Sequence, residues 1–340
     1  MIKSMYSGIS GMNAQQKKLD VIGNNIANSG TTSFKSSRVT FQDTMRETIG
    51  KGSGPVLALG GSNPKQIGMG VNLQSIEVNT GQGSLNPTGR PLDNAIDGSG
   101  YFIVGKGSIT DKVTVSEDGH ITSEETSGNE DSKAMDIYYT RDGEFKRDSL
   151  GNLVTPNGYR IMGYAISGGD SVTSIDYSSG KLVVNKVPIE KDGKEVELTA
   201  GGELIPLVIP EEIGGKKVSG FTIEKDGLIK ATLEGSEVSV IGQIAMASFV
   251  NDGGLEGVGQ NMYVPGANSG QPLLRPGKGS ENEAEAAAYG SIINGMLEMS
   301  NVDLAVEFTE MIVASRSFQA CSKVITTGDE ILQELVNLKR

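Results

Sequence analysis

Residues 301–340 read NVDLAVEFTEMIVASRSFQACSKVITTGDEILQELVNLKR, and the architecture turns on this stretch. Alternating steps of four and three from Leu304 reach Phe308, Met311, Ser315, Phe318, Ser322, Ile325, Asp329, Leu332 and Val336, and seven of these ten positions are apolar. Ile312, Val313, Cys321 and Leu335 widen the stripe. Apolar residues recurring about every 3.5 positions mark a helix that buries a seam against a partner helix. Ser300 is placed to cap its start, Asp303 follows in capping-box register, and Glu307 completes an acidic first turn. Lys339 and Arg340 are cations suited to a helix C-terminus. Ser315, Ser322 and Asp329 interrupt the seam as polar residues that set register do.

A seam of this length needs a partner, and residues 3–28 supply a candidate. Met5, Ile9, Met12, Leu19, Ile22 and Ile26 fall on one helical stripe. Gly8, Gly11 and Gly23 each weaken an isolated helix by about 1 kcal/mol relative to Ala. The N-terminal helix therefore takes its order from packing rather than from propensity.

Between the helices the period changes. Residues 31–70 are rich in Ser, Thr, Gly and Asn and predict an extended linker arm with short strands. Residues 71–165 and 241–290 predict an inner β domain, with Leu73–Val78 alternating and Asp97-Gly98 turning into a buried strand at Tyr101–Val104. Asp142-Gly143, Gly151-Asn152 and Asn157-Gly158 are hairpin signals. Residues 166–240, opened by SGGDSVTS and punctuated at Lys191-Asp192-Gly193 and Lys225-Asp226-Gly227, predict an inserted outer β domain. The expected fold class is α+β: discontinuous N- and C-terminal coiled-coil helices (1–30 and 291–340) enclosing two nested, mainly antiparallel β domains. Such nesting requires the two ends of the chain to meet.

Composition excludes several functions. A net charge of −12 offers no basic stripe for nucleic acid. No run approaches the roughly 20 apolar residues of a membrane span, and Met1-Ile2-Lys3 is not followed by the apolar core of a secretory signal. The single Cys321 has no internal disulfide partner and reads as a small apolar group. The acidic loop at 116–136 reads as a solvated surface. Gly100–Gly107 has phosphate-loop spacing, but Gly107 stands where magnesium requires Ser or Thr, and an apolar strand fills its middle. Gly68-Met69-Gly70 lacks the third glycine of a dinucleotide site. The lone His120 has no Cys or second His to share a metal, and no triad forms around it. Asp93 and Asp97 do not follow calcium-loop spacing. No catalytic, cofactor or metal constellation is expected, and so no enzyme. A cell-surface or carbohydrate-binding β protein is the reading from another class, poorly served by an aromatic content of 5%.

SGISGMNAQQKKLDVIGNNIANSGTTSFKSSRVTFQD (7–43) resembles the N-terminal motif of bacterial flagellar rod and hook proteins. PLDNAIDGSGYFIV and YTRDGEFKRDSLGNLVTPNGYRIMGY resemble that family's central β motifs. IGQIAMASFVNDGGLEGVGQNMYVPGANSG resembles its return segment, and SRSFQACSKVITTGDEILQELVNLKR its C-terminal helix. The sequence departs from the family at Asn28–Phe34 and at Cys321, neither of which removes an apolar seam position. Within the family, the stretch 166–240 and the arm 34–43 look more like the hook subunit than the distal rod subunit, its alternative.

The resemblance implies a structural subunit that forms a helical homopolymer, a tube whose terminal helices line an export channel. It further implies torque transmission through a flexible joint, and the distal rod, hook cap and hook–filament junction proteins as partners. Secretion through the flagellar type III apparatus to the outside is implied in place of a cleavable signal or membrane insertion. The expected assembly contacts are Met5, Ile9, Met12, Leu19, Ile22, Ile26, Leu304, Phe308, Met311, Phe318, Ile325, Leu332, Leu335 and Val336.

Overall fold

The structure, a computed structural model, describes residues 2–54, 60–107, 113–116, 119–122, 135–168, 171–173, 175–176, 183–184, 187–188, 190–191, 194–195, 198–235, 237–279 and 289–338. Lys339 and Arg340, the turn residues Asp192 and Gly193, and most of the acidic loop lie outside the described residues. The chain divides into two compact units, Met1–Gly81 with Ser300–Arg340, and Gln82–Met299.

The first unit is built on two helices, α1 (Ile2–Ala27) and α2 (Leu304–Leu338). They run antiparallel. Met5 meets Gly328, Gly8 meets Ile325, Gly11 meets Cys321, and Lys18 pairs with Glu310 at 3.2 Å. The cap of α2 is Asp303 rather than Ser300: its Oδ1 accepts hydrogen bonds from the amides of Ala305 (2.9 Å) and Val306 (3.3 Å). An aspartate there also places negative charge at the positive end of the helix. Ser300 instead accepts from the amide of Val302 outside the helix.

Between the helices the arm forms two antiparallel ribbons. Strand β1 (Ser37–Asp43) pairs with β4 (Val71–Val78), and β2 (Arg46–Gly50) pairs with β3 (Lys65–Gly68). Two asparagines tie these pieces together. Asn25 is 1% exposed, donates to Ser37 O and Glu307 Oε1, and accepts from the Ser37 amide. Asn301 accepts from the Ser36 amide and donates to Asn79 O and Gly81 O.

The second unit is an all-antiparallel β body around the strand Tyr101–Lys106. Its neighbours are Asp136–Thr140, Arg160–Ile161 and Met246–Ala247. The strand Arg160–Gly168 then pairs with Leu198–Pro206 and Val238–Ile244. Lys216–Ile223 and Leu228–Leu233 extend the sheet from Val238–Ile244. The expected division at 165/166 thus falls inside one strand, and that at 240/241 inside another. One apolar cluster joins Phe102, Phe145 and Leu153 to Ile213, Ile229 and Leu233, which come from both expected domains. The turn signals near residue 168 mark where a strand stops, whereas hydrogen bonding across the sheet continues past them.

Ser291–Asn294 pairs with Asn94–Asp97, and Met296–Glu298 with Leu85–Pro87, so residues 291–298 belong to this body and α2 begins after them. Several turns follow their local chemistry. Gly158 and Gly227 adopt φ of 84° and 83°, the left-handed region that Asn-Gly and Asp-Gly turns require. The stretch with phosphate-loop spacing is the central strand itself. His120 Nδ1 lies 3.1 Å from Pro272 O, a hydrogen-bonded place in a turn.

At Gly143 the limit is space. A Cβ there would stand 1.5 Å from Asn94 O, whose own amide donates to Gly143 O. Gly143→Ala is expected to destabilise the β body by about 3 kcal/mol, the upper part of the overpacking range. Gly202→Ala, with open space around its Cβ, is expected to leave the urea midpoint in place. Equal midpoints for the two variants would refute the steric account.

Candidate assembly surface

The helix pair of the first unit is closed by small side chains. On α2, Ala314, Cys321 and Gly328 follow one another at intervals of seven, with Ala314 and Gly328 buried. On α1, Gly8, Gly11 and Ala14 are buried opposite them. A methyl group on Gly11 would stand 3.0 Å from Cys321 Sγ, one on Gly8 3.2 Å from Ile325, and one on Gly328 3.2 Å from Met5. Helix axes approach more closely when the contact residues are small. Gly8 and Gly11, two of the glycines that weaken α1 alone, are thus what lets it dock.

This close seam runs along one edge of the heptad stripe and meets it at Met5, Cys321 and Ile325. Among the expected contacts, Ile22 is buried at 3% exposure. Met5, Met12, Leu19, Ile26, Met311, Phe318, Ile325 and Leu332 are half-buried. Ile9, Leu304, Phe308, Leu335 and Val336 remain exposed, together with Val306, Ile312, Val313, Val324, Ile331 and Leu338. Leu304, Phe308 and Ile312 stand at successive intervals of four and form one exposed apolar row along α2. An exposed apolar row on a long helix marks an interaction surface. Sequence periodicity finds the stripe but not the small-residue seam, whose only signal is the spacing of Gly8, Gly11 and Ala14 against Ala314, Cys321 and Gly328. It also misses Asn25 and Asn301, polar residues whose bridging role depends on strands brought from elsewhere.

One end of the pair carries charge. Glu307 accepts from Asn25 Nδ2 at 2.9 Å, beside Lys18 and Glu310. Partial burial pushes the Glu307 carboxyl above the usual glutamate value, Glu310 adds to the rise, and the Asn25 hydrogen bond and Lys18 oppose it. A raised folded-state pKa means that the group's contribution is fully present below the ordinary value, about pH 4.3, and is lost as pH rises through the raised one. Glu307→Gln, which keeps an acceptor for Asn25, is expected to be more stable than the parent at about pH 7 and equal to it at about pH 3.5. The urea midpoint followed by helical circular dichroism measures this. A parent chain that is the more stable at neutral pH would contradict the sign.

In the second unit Arg141 and Glu298 form a buried ion pair at 2.9 Å, with side chains 5% and 0% exposed. Arg141 also donates to Gly100 O and Gly98 O, each at 2.9 Å, and Glu298 accepts from the Gly83 amide. This holds the strand that leads towards α2 in the β body. Among the described residues no group of three or more His, Cys, Asp or Glu is placed to hold a metal, and no helix is long and apolar enough to cross a membrane.

Three family profiles match the chain. Residues 5–35 match the flagella basal body rod protein family, 129–231 the flagellar hook protein FlgE/F/G D1 domain, and 293–338 the flagellar basal body rod FlgEFG protein C-terminal family. The flagellar basal-body rod protein FlgG of Bacillus subtilis is 38% identical over the full length of both chains. The flagellar hook protein FlgE of Borreliella burgdorferi is 28% identical, again over the whole of both. FlgG of Caulobacter vibrioides is 30% identical over 99% of this chain and all of the relative. A crystal structure of Helicobacter pylori flagellar hook protein FlgE2 aligns over 63% of this chain and 100% of that one, with a TM-score of 0.38 and 10% identity. These relatives are structural components of the flagellar axis, and the chain belongs to the flagellar rod/hook protein family.

Proposed function

We propose that this chain is the hook-type subunit of the flagellar axis, polymerising into a flexible tube that passes motor torque to the filament. The observation that carries polymerisation is the exposed apolar row of α2, which the fold of one chain leaves uncovered. The terminal helices of successive copies cover those rows and form an inner layer around the export channel. The hook reading rests on the β body: residues 166–240 contribute Leu198–Pro206, Lys216–Ile223 and Leu228–Leu233 to its sheet. A β body of this kind allows neighbouring subunits to slide during bending while the helical layer stays connected. Full-length similarity to the hook protein of Borreliella burgdorferi supports the same reading. The partners are then the distal rod, hook cap and junction proteins, and the route outward is the flagellar type III apparatus.

The 38% identity to FlgG of Bacillus subtilis favours a second reading, a distal rod subunit. Electron microscopy of cells lacking the gene separates the two. Complete rods without hooks are the expected result, and truncated rods would establish the rod reading instead.

A further inference from the structure

Beside the small-residue seam, the first unit carries an open apolar groove of about 1040 Å³ that the helix pair does not fill. Ser7 and Gly8 of α1, Cys321, Val324 and Leu332 of α2, and Ile67 of β3 line it. The β2–β3 ribbon turns an apolar face in this direction. Ile67 pairs with Glu47, and the Met69 amide bonds Met45 O, so Met45, Ile67 and Met69 share one face with Glu47, whose carboxylate pairs with Lys3. These three side chains are 78%, 48% and 43% exposed. A lone two-stranded ribbon is marginal in water, so this face is one that gains from being covered. The groove is as large as the biggest small-ligand pockets, roughly 300–1,000 Å³, and its lining is mainly apolar, with Lys3, Ser4 and Ser7 as the polar members.

The same chain carries a segment of matching form. Met5 of α1 lies against Gly328, and beyond that contact α1 has three described residues while α2 continues to Leu338. On this overhang Ile331, Leu335 and Leu338 stand at i, i+4 and i+7, the spacing by which a helix anchors in an apolar groove. They are 43%, 48% and 83% exposed in their own chain. Residues 329–338 hold three acids (Asp329, Glu330 and Glu334), and Lys339 and Arg340 follow them, so this end of the sequence keeps a net negative sign. The ribbon and its flanks carry Lys3, Arg46, Lys51 and Lys65 against Asp43 and Glu47, with Arg46 paired to Asp43 and Lys3 to Glu47, so Lys51 and Lys65 give this side its net positive sign. Charge and shape therefore agree.

We propose that this groove receives the C-terminal turns of α2 from a second copy of the chain, with Ile331, Leu335 and Leu338 as anchors. The contact is heterologous, overhang of one copy into groove of the next, and such contacts propagate into open helical assemblies. It rests on the polymer reading above and adds its location.

Cys321, the sole cysteine, lies in the groove and makes the test specific. Leu335→Cys and Leu338→Cys chains are polymerised, oxidised and run without reductant, beside Ile312→Cys from the exposed row elsewhere on α2. A disulfide ladder several-fold stronger for positions 335 or 338 than for 312 is expected. Polymers that give no ladder at 335 and 338, or an equal one at 312, would overturn the docking. In the unaltered chain, the amides of residues 329–338 are expected to gain hydrogen-exchange protection on polymerisation, and unchanged exchange in sedimenting polymer also overturns it. Failure of the unaltered chain to sediment at all would count against the polymer reading, not against the groove.

Discussion

Phe308→Asp is expected to abolish polymerisation while the single chain stays folded. Phe308 is 49% exposed on the first turns of α2, in the row shared with Leu304 and Ile312. In the isolated chain the substitution replaces a half-solvated ring and leaves no closed cavity, so stability should shift by less than about 1 kcal/mol. An aspartate near the start of a helix is also favoured by the helix dipole. If the row is the assembly surface proposed above, the same position is covered by a neighbour in the polymer, and an unpaired carboxylate buried there costs several kcal/mol per subunit. Contacts repeated along a lattice multiply that cost, so assembly fails as a whole. Sedimentation measures polymer and urea denaturation measures the fold. Normal tubes from the variant would remove the row from the assembly surface. A variant that is unfolded before assembly would show that Phe308 belongs to the core of the single chain.

Glu298→Ala is expected to destabilise the β body by about 3–5 kcal/mol, the cost of leaving one partner of a buried ion pair uncompensated. Arg141 would keep its hydrogen bonds to Gly98 O and Gly100 O but lose its ion pair at 2.9 Å, and the Gly83 amide would lose its acceptor. Against a total stability of about 5–15 kcal/mol, that loss is large. Glu298→Gln retains an acceptor of the same shape and should fall between parent and alanine variant. The double variant Arg141→Met with Glu298→Leu removes both charges and is expected to recover part of the loss, because an apolar pair of similar volume needs no compensation. Urea unfolding of the three variants measures these losses. A loss below about 1 kcal/mol for Glu298→Ala would mean that water, not Arg141, solvates this carboxylate.

The helices at the two ends were legible because their signal is local and long: a helical period sustained over many turns outlasts its interruptions. The hairpins at Asn157-Gly158 and Asp226-Gly227 were legible for a related reason, since the left-handed backbone they need is nearly a property of glycine itself. Which face of α2 meets α1 was not. The apolar stripe is wider than any one seam, so several helix pairings satisfy the period equally. The choice falls to closeness of approach, which Ala314, Cys321 and Gly328 permit and Phe308 does not.

Local patterns of residues were thus enough to place two amphipathic helices around a β region, to leave no catalytic constellation recognisable, and to demand a partner for an apolar surface. Tertiary structure alone decided three further things. It joined Leu198–Pro206, Lys216–Ile223 and Leu228–Leu233 to the central sheet by strand pairing, an interaction between segments apart in the chain. It set Arg141 against Glu298 across 157 positions. And it turned the small residues of α2 inward, so that Leu304, Phe308 and Ile312 face solvent. The physical reason is common to all three: each depends on which distant groups come to share a volume, and that is a property of packing rather than of any local run of residues.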